Sequence, residues 1–175
     1  MKRLALLFVA SCGRLAFDPL GGTTGDGGGS GLQDTGNACP EGFTRAGTSC
    51  YRANYFPNSG DGKIFVDAEA LCEAQGGHLA VIDDEPEADR IRGLGLLGSD
   101  YWVGVSELAE TTVYRSVTND VDLYLPWATG EPDSGVDHCV NFNLDGTMFD
   151  NICTAQDDAL CEYDGRLPVP AAWGQ

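Results

Sequence analysis

The sequence predicts an α+β domain stapled by disulfides, with two helices, small antiparallel sheets and a long irregular loop region. Three observations carry that expectation. Seven cysteines in 175 residues point to an oxidising compartment and a disulfide framework. Two segments of helical spacing, one at residues 66–75 and one opened by the acidic run at 83–87 and reaching about 97, are interleaved with short apolar runs of strand character. Residues 106–125 sustain no period, which reads as irregular loop with short strands.

In chain order, Lys2 and Arg3 form a charged start, and Leu4 to Ala10 (LALLFVA) is an apolar core too short to span a bilayer as a helix. Residues 1–11 therefore read as a secretion signal. The run Val9-Ala10-Ser11-Cys12 resembles the lipobox of bacterial lipoproteins, in which the cysteine becomes the lipidated first residue of the mature chain. That resemblance implies export and lipid anchoring through Cys12 to the bacterial envelope, at the outer membrane or cell surface. The alternative is ordinary cleavage after a small residue, leaving Cys12 as a free thiol; lipidation also accounts for the odd cysteine count. Residues 12–38 are then the lipidated cysteine and a glycine-rich linker, which cannot bury a core and behaves as a flexible tether. No strand precedes these glycines and no Lys-Ser/Thr pair follows, so they do not form a phosphate-binding loop.

The folded texture begins at Cys39. Cys39 and Cys50 bracket a short loop, and Asp61-Gly62 marks a turn. Val66 to Gln75 carries Val66, Ala70 and Leu71 on one side with Cys72 beside them, and Gly76-Gly77 ends the helix. His78 to Ile82 is short and β-compatible. The acidic run from Asp83 with Pro86 opens a second helix, which reaches about Leu97 with Ile91, Leu94 and Leu97 inward. Tyr101 to Val105 reads as a buried strand, Asp145-Gly146 as a two-residue hairpin turn, and Ala159 to Tyr163 as a closing strand. The domain is placed at 39–164 and residues 165–175 read as a loose trailing tail.

Charge narrows the function. Against 27 Asp and Glu stand 10 Lys and Arg, a formal charge of −17. Nucleic acid and anionic membrane surfaces need a basic footprint, so neither is a partner; membrane contact is left to the lipid anchor. The acids concentrate between Trp127 and Cys153, where Glu131 and Asp133 flank Pro132, Asp137 follows and Asp150 precedes Cys153. Carboxylates gathered this way suit a hard cation held by oxygens, with solvated loop acids as the plainer alternative.

Several separate pieces, in this order, resemble a C-type lectin-like domain. Ala70-Leu71-Cys72-Glu73-Ala74-Gln75-Gly76-Gly77-His78-Leu79-Ala80 matches that family's first helix and following strand. Trp102-Val103-Gly104-Val105 matches its WIGL core strand, and Trp127 to Asp133 its W-x-x-G-E-P-N segment. Cys139, Cys153, Cys161, Glu162 and Tyr163 match its closing C…C…C-E-F pattern. Six cysteines permit fifteen connectivities. The resemblance implies Cys72–Cys161, Cys139–Cys153 and the extra N-terminal bridge Cys39–Cys50 of the long form of the fold.

It also implies a calcium site of Glu131, Asp133, Asp137 and Asp150, with Glu131, Asp133 and Asp137 contacting a carbohydrate and Pro132 in the cis form. Two departures bear on that site. With Cys153 fixing the register, the tryptophan and asparagine of the W-N-D motif fall on Met148 and Phe149, and Phe149 cannot ligate calcium. Asp133 replaces an asparagine, so an acceptor-only group stands where an amide N–H would donate. The function implied is a surface-anchored binding protein for a glycan, calcium-dependent through the long loop. The alternative is a calcium-independent module for a protein ligand, or a structural envelope component.

Rival chemistries find less support. His78 belongs to the helix-to-strand motif and reads as structural, while His138 abuts Cys139 and faces solvent or loop. Two histidines and disulfide-committed cysteines do not make a zinc site. Glu131 and Asp150 could be read as a glycosidase pair, but nothing positions a sugar between them, so the chain is not read as an enzyme. Trp102 and Trp127 read as a core residue and a loop anchor.

Overall fold

The computed structural model describes residues 38–175, apart from positions 59, 99, 134, 136 and 137. Residues 1–37, and with them the signal segment, Cys12 and nearly all of the linker, lie outside the described residues. The elements run β1 (Thr44–Ala46), β2 (Ser49–Asn54), α1 (Phe65–Ala74), β3 (His78–Leu79), α2 (Glu85–Arg92), β4 (Asp100–Ser106), β5 (Arg115–Ser116), β6 (Cys139–Asn143), β7 (Met148–Asn151), β8 (Asp158–Tyr163) and a short 3-10 helix (Pro170–Trp173). Among the described residues no helix is long and apolar enough to cross a membrane.

The strands do not form separate antiparallel sheets. They join in one sheet of order β1-β2-β8-β4-β6-β7, with β3 added to β8 and β5 to β4. β8 lies antiparallel to β2 and parallel to β4, so the sheet is mixed. Trp102, Phe65, Leu79 and the Cys72–Cys161 bridge occupy one core cluster. Tyr101, Phe142, Ile91 and Leu160 form the other. The remaining bridges are Cys39–Cys50 and Cys139–Cys153, giving the three pairings that the resemblance implies. Cys72–Cys161 spans 89 residues and closes the largest loop. In the chain-entropy account such a loop is worth about 4–5 kcal/mol.

Both helices differ in detail from their sequence reading. α1 buries Phe65, Ala68, Glu69 and Cys72, whereas Ala70 is exposed and Val66 and Leu71 are only half-buried. The period is helical, but a buried glutamate holds one position of the inward face, which shifts the apolar count by one residue. α2 starts as expected, with Asp84 accepting from Glu87 N at 2.8 Å and Pro86 in the first turn. It ends at Arg92 rather than near Leu97, because Gly93 follows and Gly95 takes a left-handed φ of 71°. Leu97 consequently stands 64% exposed. The β6–β7 turn spans three residues, not two: Gly146 N donates to Asn143 O, Asn143 N to Thr147 O, and Gly146 sits at φ 95°.

The tail is also ordered. Val169 N donates to Val117 O at 2.7 Å, and Trp173 packs into the cluster around Trp102. Two prolines obscure the segment's structure in the sequence, yet Pro170 opens the 3-10 helix that carries Trp173 inward.

Buried carboxylates tie the elements together. Glu69 Oε2 accepts from Leu79 N at 2.7 Å and Glu162 Oε2 from Val81 N at 3.0 Å. Tyr51 OH bonds Glu87 and also donates to Glu162 at 3.3 Å. His78 sits with Nδ1 against the Leu79 carbonyl at 2.8 Å and Nε2 against Asp164 at 3.1 Å. Arg166 bonds Asp164 and lies 3.6 Å from Glu162. Burial pushes the Glu69 and Glu162 carboxyls up to about 7. Burial alone would lower His78, but its bonds to Asp164 and the Leu79 carbonyl hold it above its ordinary value.

Two outcomes follow from these contacts. Trp173→Ala should destabilise the domain by about 3–4 kcal/mol in urea unfolding, as for other buried tryptophans; a loose tail would give almost no change. The second concerns pH. Raised carboxyl and imidazole values mean that the folded state favours the protonated forms. Their stabilisation is complete at or below the unfolded values and is lost as pH rises through about 7. Stability should therefore fall between pH 5 and pH 8. Glu69→Gln, which keeps an acceptor for Leu79 N, should remove part of that fall and gain about 1–3 kcal/mol at pH 8.

Candidate functional site

The long-loop end of the molecule is built on the β6–β7 hairpin. β7 is paired residue for residue with β6, Val140 opposite Asp150 and Cys139 opposite Asn151, and Cys139–Cys153 locks its far end. Met148 is buried beneath it. The segment 126–131 is strung along β7 by backbone bonds: Met148 N donates to Pro126 O at 2.9 Å and Ala128 N to Met148 O at 2.8 Å. Glu131 N then turns back to Ala128 O, and the Glu131–Pro132 peptide is cis.

These constraints bring three of the four sequence-predicted ligands together. One carboxylate oxygen from each of Glu131, Asp133 and Asp150 lies within 4.8 Å of the others. Asp137 lies outside the described residues. Asp150 is buried; its Oδ1 accepts from Asp133 N at 3.1 Å and its Oδ2 from Tyr114 OH at 3.5 Å. Tyr114 in turn packs on Trp127, with ring centroids 5.2 Å apart. Among the described residues no Lys or Arg pairs with any of the three carboxylates. The Glu131 carboxyl is raised, first by its hydrogen bond to Asp150, then by partial desolvation and by its neighbours' negative charge. A cavity of about 180 Å³ adjoins the cluster, between Pro132, Asp150, Tyr114 and the Glu107–His138 pair, whose atoms are 3.3 Å apart.

The donor set fits a hard divalent cation in type and charge: all oxygen, all anionic and only partly hydrogen-bonded within the protein. Phe149, on β7 opposite Asn141, brings no side-chain oxygen to it. Tyr114 and Glu107 were not identified from the sequence. Both come from the stretch without period, 36 residues from Asp150 in the case of Tyr114, so no local pattern marks them.

His78, Glu162 and Asp164 form a second group of equally close ligand atoms. That group already holds its cations, because Arg166 bonds Asp164 and reaches Glu162, and His78 faces Asp164. It is a structural network.

Comparison with known proteins agrees with this architecture. The family model described as the lectin C-type domain matches residues 61–163, more than half of the chain. Perlucin of Haliotis laevigata is 30% identical over 138 residues, which is 74% of this chain and 85% of perlucin. The cow C-type carbohydrate-recognition domain of CD23, solved in the presence of a GlcNAc2Man3 oligosaccharide, superposes with a TM-score of 0.64 at 25% identity, over 73% of this chain and 96% of that one. A calcium-independent type II antifreeze protein superposes with a TM-score of 0.62 at 26% identity, over 72% of this chain and 94% of that one. With a family match over most of the folded residues, and the same sheet and disulfide framework, the chain belongs to the C-type lectin domain family.

Proposed function

We propose that this protein is a surface-held carbohydrate-binding protein whose long loop works with calcium. The observation that carries the reading is the trio of Glu131, Asp133 and Asp150 within 4.8 Å, unpaired with Lys or Arg among the described residues. Asp137 enters the proposal as a fourth ligand from the sequence alone, as the acid shortly before Cys139. When bound there, calcium supplies open coordination positions for a pair of sugar hydroxyls. Glu131, Asp133 and Asp137 would accept hydrogen bonds from those hydroxyls. Because Asp133 can only accept, hydroxyls that donate to it are favoured over an arrangement that needs an amide N–H. The relative solved with an oligosaccharide supports a glycan as ligand.

The test is a glycan array of the full chain with and without chelator, repeated with Asp150→Asn and Glu131→Gln. Binding should vanish with chelator and in both variants while circular dichroism is unchanged. Chelator-insensitive binding would contradict the reading.

A second reading is a calcium-independent interaction module for a protein or other ligand. Phe149 in a ligand position favours it, as does the likeness to a calcium-independent antifreeze protein. It differs in outcome: Asp150→Ala would then leave ligand binding and melting temperature unchanged.

Export and lipid anchoring through Cys12, in the manner of a bacterial lipoprotein, complete the proposal and rest on Val9-Ala10-Ser11-Cys12. Labelled palmitate should be incorporated by the wild type and not by Cys12→Ser; an unlabelled wild type would refute the anchor.

A further inference from the structure

Away from the long loop, a cavity of about 350 Å³ opens between the β1–β2 hairpin and the segment that follows α2. Its lining is mixed: Leu94, Leu96 and Leu97 with Tyr51 and Tyr55 supply apolar surface, and Thr44, Arg52 and backbone at Gly42 and Gly95 supply polar surface. Leu97 at 64% and Tyr55 at 42% exposure leave large apolar surfaces at its rim. Into this setting β2 brings Arg52.

Arg52 is unlike the other arginines of the domain whose partners are charged. Arg92 pairs with Asp89, Arg115 with Glu110, and Arg166 with four carboxylates. The Arg52 side chain, like that of Arg90, makes no ion pair or hydrogen bond among the described residues, while its backbone pairs opposite Cys161 in the sheet. Among the described residues no acidic side chain lines the cavity, in a chain with 27 Asp and Glu. Its guanidinium lies against bare backbone, since a Cβ at Gly42 would come within 2.7 Å of Arg52 Nη1. Gly42 also has a φ of +82°, where a side chain would be strained, so both space and conformation reserve that spot.

We propose that this cavity is a binding site for a small amphiphilic carboxylate. The carboxylate pairs with the planar fork of Arg52, and an aliphatic or aromatic body lies on Leu94, Leu96, Leu97 and Tyr55. A guanidinium beside apolar walls is less well hydrated than one in open solvent, which strengthens a charge-assisted pair. The volume is at the small end of the range for small-molecule sites. One arginine, with no second cation among the lining residues, suits a monoanion better than a phosphate. A neutral sugar would leave the leucine walls unmatched, so the site differs in ligand class from the long loop.

The test is calorimetric titration of the full chain with octanoate and with its neutral isostere octanamide. Octanoate should bind saturably at one site and about tenfold more tightly than octanamide. Arg52→Gln should abolish that preference, and Leu97→Glu, at an exposed position that tolerates charge, should weaken octanoate by about tenfold or more. Chelator should change none of these values, so the outcome is independent of the calcium reading. Absence of saturable binding, equal affinity for acid and amide, or an unchanged preference in Arg52→Gln would each overturn the proposal.

Discussion

The hydrogen-bonding of β8 is the constraint on which the rest of the molecule depends. This one strand pairs with β2, β3 and β4, and it carries Cys161 and Glu162. Cys161 bonds it to α1, and Glu162 reaches the backbone of Val81 beyond β3. From the other side, Glu69 of α1 grips Leu79 N. The two-residue strand β3 is thus held at Leu79 and just beyond it by two buried carboxylates. With β8 fixed, β4 lies parallel to it, β6 lies on β4 and β7 on β6, which sets the position of Asp150. Nearly all of these contacts join distant parts of the chain: Cys50 faces Tyr163 across β2 and β8. Such an arrangement costs loop-closure entropy before it gains contacts, and the long-range Cys72–Cys161 bridge offsets part of that cost.

The two ends of the sheet treat negative charge in opposite ways. At the end where β8 closes, Glu162 and Asp164 are met by His78 and Arg166, and backbone N–H groups satisfy much of what remains. At the long-loop end the trio of carboxylates is as crowded, and among the described residues no Lys or Arg pairs with it; Asp133 N and Tyr114 OH donate to Asp150. The first cluster is complete as a structural element. In the second, hairpin, bridge and backbone bonds position Asp150 and Glu131. Carboxylates crowded together without a paired Lys or Arg among the described residues suit a hard cation.

Much of this was legible in the sequence because the signals are local or belong to a family pattern. The helix starts, the strands around Tyr101 and Ala159, and the gathering of Glu131, Asp133 and Asp150 fall in that group. The inward face of α1 was misread because Glu69 occupies a core position, which a hydrophobic count cannot anticipate. The end of α2 depended on the left-handed turn at Gly95, and the packing of Trp173 on a contact with a cluster far back in the chain. The union of the strands in one sheet follows from the parallel pairing of β4 with β8, which leaves no mark in either strand. Tyr114, Glu107 and Arg52, which has no ion-pair partner among the described residues, became visible only once tertiary contacts were known.

The cation site proposed at Glu131, Asp133 and Asp150 can be probed spectroscopically. Terbium luminescence excited through tyrosine and tryptophan tests it most directly, since the Tyr114 hydroxyl lies 3.5 Å from Asp150 Oδ2 and Trp127 packs on the Tyr114 ring. The account predicts sensitised emission from terbium bound to the full chain, displaced by calcium and lost in Asp150→Asn. No sensitised emission at saturating terbium, or emission unchanged in Asp150→Asn, would contradict it.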